Sequence, residues 1–345
     1  YVVFLILGLT VVKPFYVGQL NGTSSPIYGM GVDYLSTVMI FSIGVFCQMY
    51  FERLLTSTGK TVYTMLSQLT GAVINIILDP ILIFGLLGAP AMGVTGAAVP
   101  TVIGQCGAAI LSANHEVDLK IKGFRPSAKI IGPIYAIGIP SIIMQSIGSV
   151  MTYCMNRILI GFSSTATAVF GVYFKLQSFF FMPLFGLNNG ITPIIAYNYG
   201  AQKKHRMIKT IKMSLVVSFC LMFIGFLGFE LIPDKLLGLF EASTAMLTIG
   251  VPALRIIGIH FLIAWFCIIA GTVFQSLGKA VYSMVVSVMR QLVVLIPAAY
   301  LLAHFGGLHA TWWSFPIAES MSLAVSTIFL LRIYKKIIKP LPDKE

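Results

Sequence analysis

The sequence predicts an all-α integral membrane protein with about ten transmembrane helices, and three observations carry that prediction. The first is composition. Of 345 residues, 57% are hydrophobic and 10% charged, and the mean hydropathy is +0.92, whereas a soluble domain carries roughly 25% charged residues. A chain this poor in charge has no means of covering itself with a water-compatible surface. The second is the length of the apolar runs. Leu69–Leu87 contains one charged residue and Met213–Phe229 none. About 20 apolar residues cross the hydrocarbon core as a helix, which satisfies every backbone polar group inside the segment. The third is the placement of the basic residues, which alternates along the chain as the loops between spans should.

In order, the spans are expected at roughly 1–19, 30–55, 63–87, 92–114, 131–160, 166–196, 208–232, 246–275, 281–303 and 309–334. The loops that follow the even-numbered spans are basic. They hold Lys60, then Lys120, Lys122, Arg125 and Lys129, then Lys203, Lys204, Arg206, Lys209 and Lys212, then Lys279, and finally the tail Lys335, Lys336 and Lys339. The loops after odd-numbered spans, at 21–26, 85–93 and 161–167, have no Lys or Arg, and Lys235 is the exception among them. Each basic loop is two spans from the next, so the charge pattern supports the span count independently. By the positive-inside rule the basic side is cytoplasmic, which puts the C-terminus there. The net charge of +12 is therefore a topology signal, and nucleic acid is not an expected partner. The partner implied is the lipid bilayer.

Prolines interrupt many spans, at Pro80, Pro100, Pro140, Pro183, Pro193, Pro252 and Pro297. Such breaks are tolerated where neighbouring helices or a cavity satisfy the freed backbone groups. They are frequent in transporters, although packing kinks explain them equally well. The five cysteines, Cys47, Cys106, Cys154, Cys220 and Cys267, lie singly in apolar segments and read as packing residues.

The chain also matches itself at an offset of 219. Gly31, Val32 and Leu35 match Gly250, Val251 and Leu254, and Ser57-Thr58-Gly59-Lys60-Thr61-Val62-Tyr63-Thr64-Met65 matches Ser276-Leu277-Gly278-Lys279-Ala280-Val281-Tyr282-Ser283-Met284. Parallel repeats of this kind build transporters with the substrate path between the halves. They imply an N-terminal lobe over 1–128 with four spans and a C-terminal lobe over 129–345 with six. The stretch 131–219 has no counterpart in the first half, so two N-terminal spans are expected to be absent from this chain.

Several motifs in this order resemble one family. They are the Gly59-Lys60 turn, Asn75-Ile76-Ile77-Leu78-Asp79-Pro80 with Ile83-Phe84-Gly85, Gly93-Val94-Thr95-Gly96-Ala97-Ala98, Gly138-Ile139-Pro140-Ser141, and Asn198-Tyr199-Gly200-Ala201 after Pro193. The pattern is similar to the multidrug and toxic compound extrusion (MATE) transporters of the MepA-like bacterial type. The resemblance covers the whole chain. It implies a twelve-helix, two-lobe fold and a plasma-membrane antiporter. Such a protein would expel amphipathic, often cationic compounds in exchange for Na+ or H+, with no other cofactor, and is expected to be a monomer.

Asp79 is the sharpest candidate residue. It lies about 21 Å along the helix from Met65, in a core about 30 Å thick, where an ionisable side chain marks function by default. Ser67, Gly71, Asn75 and Asp79 recur every four residues and form one small, polar stripe. Asn75 and Asp79 offer hard oxygen ligands suited to Na+, and Thr101 on the next span adds a hydroxyl. In the family resembled, a cation site in the N-terminal lobe uses this Asn, this Asp and this Thr. It also uses an Asp on the first helix, which here would fall in the absent segment. A polar packing cluster is the alternative reading. In the C-terminal half, Gln145, Asn156 and Lys175 are candidate substrate-cavity residues. The stretch Ala264-Trp265-Phe266-Cys267 carries no acid where some relatives have one.

Glu52, Arg53, Arg255, Arg290 and Glu319 are expected to pair or to snorkel near interfaces, and Arg157 to snorkel at the outer end of its span. His304 and His309 are expected around an outer loop, with no metal-ligand set. Ser57-Thr58-Gly59-Lys60-Thr61 imitates the end of a phosphate loop, but Leu54 stands where its first glycine belongs. Asn21-Gly22-Thr23 is a glycosylation sequon. No convergent nucleophile or metal set suggests an enzyme. The competing reading is a lipid-linked oligosaccharide flippase of the same wider superfamily. That reading calls for a cluster of cavity arginines, and Arg157, Arg255 and Arg290 are scattered in the sequence.

Overall fold

The structure, a computed structural model, describes residues 1–20, 26–113 and 127–342. The Asn21–Thr23 sequon and the loop residues Lys120, Lys122 and Arg125 lie outside the described residues. The chain divides into two compact units, Tyr1–Phe124 and Arg125–Glu345.

The first unit contains α1 (Val2–Thr10), α2 (Val12–Leu20), α3 (Pro26–Ile40), α4 (Ile43–Ser57), α5 (Thr61–Phe84) and α6 (Thr95–Ala113). The second contains α7 (Ala128–Ile160), α8 (Ser164–Gly200), α9 (Lys204–Leu231), the short α10 (Pro233–Gly238), α11 (Thr244–Gly258), α12 (Phe261–Ser276), α13 (Ala280–Val288), α14 (Ile296–Thr311) and α15 (Ser314–Ile333). A π-helical stretch, Met289–Leu295, joins α13 to α14, so that 280–311 runs as one helix.

Seven helices are each long and apolar enough to cross a membrane, or nine when each of two bent pairs is one span. The bent pairs are α3–α4, turning by 44°, and α11–α12, turning by 50°. The tenth expected segment is α1–α2. Its backbone bonding runs through the break, with Val11 N–H donating to Leu7 O and Phe15 N–H to Val11 O, both at 2.9 Å. The His304–His309 stretch differs from expectation. It is the last part of α14, kinked at Gly307 (φ 69°), and the chain turns only at Trp312 and Trp313.

The outer surfaces explain the composition. Only 6% of the most apolar window of α5 and 11% of that of α7 are buried inside the protein, and side chains such as Ile76, Leu69, Ile130 and Ile142 are more than half exposed. These are the surfaces that hydrocarbon would cover.

The repeat has a structural counterpart. After α4 and after α12 the chain turns on a left-handed glycine, Gly59 (φ 82°) and Gly278 (φ 70°). In each turn the following lysine N–H reaches back five residues, from Lys60 to Leu55 O at 2.9 Å and from Lys279 to Phe274 O at 2.8 Å. This is the usual way a helix end satisfies its last carbonyls, and a side chain at the positive-φ position opposes it. The next helix then sends a hydroxyl back to the preceding one at matching positions. Thr64 Oγ1 lies 3.4 Å from Glu52 O, and Ser283 Oγ donates to Gly271 O at 2.9 Å. The breaks within the two bent pairs, Phe41–Ser42 and Ile259–His260, also overlap at the repeat offset, where Phe41 corresponds to His260.

Candidate functional sites

The polar stripe of α5 faces α6. Ser67 Oγ donates to Ala108 O at 2.8 Å and accepts from Ser112 Oγ at 2.7 Å. One turn on, Gly71 and Gly104 bring the two backbones together, and a Cβ built on Gly104 would sit 2.7 Å from Gly71 O. One turn further, Asn75 meets Thr101, with its side-chain amide 3.1 Å from Thr101 Oγ1. The other atom of that amide faces Asp79, 2.6 Å from Oδ2 and 3.0 Å from Oδ1. The glycine contact therefore sets the spacing that allows Asn75 to bridge a carboxylate on its own helix and a hydroxyl on the next.

The hydrogen inventory of this cluster has two solutions. With the amide nitrogen toward Asp79, both carboxylate oxygens accept from it, and the amide oxygen accepts from Thr101. Thr101 Oγ1, however, also lies 3.0 Å from Ala97 O and has one hydrogen to give. If Thr101 donates to Ala97, Asn75 donates to Thr101 and turns its oxygen on Asp79. Two oxygens at that separation require a proton or a cation between them. Pro80, immediately after Asp79, has no N–H for the Ile76 carbonyl, so this turn of the helix also carries a free backbone acceptor.

The stripe borders a cavity of about 440 Å³, lined among others by Gln48, Gln68, Asn75, Thr101 and Gln105. Gln48 and Gln68 also hold Glu52, donating to its Oε1 at 2.8 Å and its Oε2 at 2.9 Å. Glu52 is 8% exposed. It is therefore an interior carboxylate held by two amides, whereas the sequence expected it to pair or to snorkel near an interface. Its spacing from Gln48, four residues on one helix face, was the available signal.

The C-terminal unit encloses a second cavity of about 750 Å³. Gln145 and Asn156, together with Ser149 and Thr152, line it along one face of α7. Lys175 does not reach it. Its ammonium sits 5.7 Å over the ring of Phe240, while Tyr173 and Gln177 on either side of it face the cavity. The cavity also holds a charged pair, made by two residues that the sequence expected to pair or to snorkel near an interface. Arg290, in the π-helical stretch, donates to Glu319 of α15 across 3.2 Å, and Glu319 is 3% exposed. Arg157 lines a separate groove between α7 and α14 with Tyr153, Tyr300 and His304. Among the described residues no three His, Cys, Asp or Glu gather as metal ligands.

A MatE family model matches residues 140–301. The multidrug export protein MepA of Staphylococcus saprophyticus is 27% identical over 347 residues, covering 95% of this chain and 73% of the relative. The protein of that name from Staphylococcus aureus (strain bovine RF122) is 28% identical over 350 residues, 94% of this chain and 74% of the relative. Among solved structures, the MATE multidrug transporter DinF-BH is 31% identical, with a TM-score of 0.84 over 98% of this chain and 75% of that one. A MOP-superfamily transporter from Pyrococcus furiosus has the same fold, with a TM-score of 0.87 at 21% identity, over 98% of this chain and 78% of that one.

Proposed function

The chain belongs to the multidrug and toxic compound extrusion (MATE) family of multi-pass membrane transporters, and from that premise we propose that it exports amphipathic, often cationic compounds in exchange for Na+ or H+. The single observation that carries the coupling is the Asn75 amide, held between the carboxylate of Asp79 and the hydroxyl of Thr101. The two hydrogen-bond solutions of the cluster correspond to two states of a carrier. In the empty, ionised state the amide nitrogen neutralises part of the Asp79 charge. When a proton or Na+ arrives, the amide turns its oxygen to the cation, donates to Thr101, and releases the Thr101 hydrogen to Ala97 O. Proton and Na+ then compete for one carboxylate, and loading it changes the bond that ties α5 to α6. That is a local two-state element of the kind alternating access requires.

The export direction and the breadth of substrates are carried over from the MepA relatives, which are multidrug export proteins. The flippase reading is not favoured. Among the described residues the three arginines it would use are apart, with Arg290 paired to Glu319 and Arg157 on a different groove. The basic loops support a plasma-membrane location with a cytoplasmic C-terminus, and we take the functional unit to be a monomer.

The test is Asp79→Asn in the protein reconstituted in liposomes. Asparagine keeps the size and hydrogen bonding of the side chain but cannot ionise. The expected outcome is a folded protein whose substrate efflux no longer responds to an imposed Na+ or pH gradient. Undiminished gradient-driven efflux removes Asp79 from the mechanism and leaves it a packing role.

A further inference from the structure

We propose that the cavity inside the C-terminal unit is a receptor for amphipathic aromatic molecules bearing a carboxylate, with Arg290 as the anion anchor. This does not rest on ion coupling at Asp79, since it concerns equilibrium binding within one unit.

The argument begins with what the cavity presents. The Arg290–Glu319 pair is one-sided. The arginine side chain is 29% exposed and the carboxylate 4%, so a molecule entering the cavity meets the guanidinium. Arginine has five N–H donors, and one bond, to Glu319 Oε2, is formed among the described residues. Glu319 takes one of these donors, and the arginine lines the cavity with the others unused among the described residues. A planar fork with unused donors matches a carboxylate in two parallel bonds.

An organic cation fits less well. The second Glu319 oxygen is fully buried and without a partner, and of the two charged groups that line the cavity the arginine is the more exposed.

A bound carboxylate would leave Arg290 between two negative groups, so further donors are needed, and the cavity has them. The Tyr173 hydroxyl is buried with no partner on a side chain 1% exposed. Gln145, Gln177 and Gln291 line the space with no side-chain hydrogen bonds among the described residues. Polar groups with no partner of their own beside a volume of about 750 Å³ are what a ligand site of ordinary size looks like. Aromatic rings share the lining with these donors. Phe181, Phe185 and Phe315 line the same space, and Phe185 remains 54% exposed, which suits the ring system of an aromatic acid. The π-helical turn that carries Arg290 is itself a feature found frequently at functional sites.

The test uses three probes of one aromatic body and different charge: dansylglycine, its methyl ester, and the dansyl derivative of ethylenediamine. Binding is read by fluorescence on the protein in nanodiscs, with empty nanodiscs subtracted. The anion is expected to bind about tenfold or more tighter than the ester and the cation, the ratio that a charge-assisted bond provides. In Arg290→Gln/Glu319→Gln, which removes both charges and leaves no orphan, this preference disappears. In Glu319→Gln the anion binds ~3- to 10-fold tighter, because a competing negative charge is gone. A cation receptor would show the reverse sign.

The proposal is overturned if the wild type does not prefer the anion, or if the preference survives in the folded double variant. It is also overturned if the preference is lost on Arg157→Gln, which would put the anion in the other groove. If the double variant does not fold, Glu319→Gln alone decides, tightening supporting the proposal and weakening or no change overturning it.

Discussion

Replacing Gly104 with alanine tests whether backbone contact between α5 and α6 sets the geometry of the Asn75, Asp79 and Thr101 cluster. A Cβ on Gly104 would lie 2.7 Å from Gly71 O, whereas a Cβ on Gly71 would lie 3.2 Å from Gly104 O. The first distance is closer than real Cβ contacts allow, and its neighbour is backbone that cannot swing aside. The second needs only a few tenths of an ångström. To bring Gly104→Ala into ordinary contact the helices must separate by ~0.3–0.7 Å, a strain of ~1–3 kcal/mol on the scale of overpacked cores. Thr101 is one turn away on the same helix. The same opening stretches its 3.1 Å contact with Asn75 toward or past the limit of a hydrogen bond, at a further net cost of ~0.5–1.5 kcal/mol. Two measurements on the purified protein check this. Thermal unfolding in detergent should rank wild type above Gly71→Ala and Gly71→Ala above Gly104→Ala, and gradient-driven efflux should fall in Gly104→Ala while Gly71→Ala keeps most of it. If Gly104→Ala unfolds like the wild type and transports normally, the glycine contact does not set the site and the reasoning fails.

The other expectations can be checked by the same unfolding assay. Gly59→Ala and Gly278→Ala each place a side chain at a positive φ and should destabilise by about 1 kcal/mol or somewhat more. The two losses should be similar, since the turns are equivalent in the repeat. Gln68→Leu leaves Glu52 Oε2 without its donor and should cost ~1–3 kcal/mol, whereas half-buried Thr70, whose hydroxyl bonds its own helix at Leu66 O, should tolerate alanine. Arg290→Met strands the buried Glu319 charge and should cost ~3–5 kcal/mol, while Arg290→Met/Glu319→Leu should recover most of that loss.

How far the sequence reveals this protein depends on whether the information lies within one helix or between two. The stripe Ser67, Gly71, Asn75 and Asp79 was legible because a helix brings every fourth residue to one face, and the partners on α6 occur in reverse order along it, as antiparallel helices require. The same rule explains Gln145 and Asn156, which share a face of α7 with Ser149 and Thr152. It also explains Lys175. Tyr173 and Gln177 are four apart and face the cavity, and a residue midway between them is turned by about 200° to the other side, where Lys175 finds Phe240. Chemical type nominated the lysine, and helical phase removes it from the cavity.

What stayed hidden joins distant parts of the chain. Arg290 and Glu319 are 29 residues apart on different spans, and although each was expected to pair or to snorkel, no local pattern says that one will find the other. Arg290 also stands in a π-helical stretch, where the wider turn shifts the phase on which any stripe argument depends. The bends in α3–α4 and α11–α12 were equally silent, because neither break carries a proline. At each a side chain bonds back to the carbonyl three residues before it, Ser42 to Met39 and His260 to Ile257, in competition with the helical ladder. The repeat offset does register them, since Phe41 and His260 are separated by 219. A bend found in one half of such a chain therefore predicts one in the other half, even where the two residues share no chemistry, because what is preserved is the place where the helix is interrupted rather than the side chain that interrupts it.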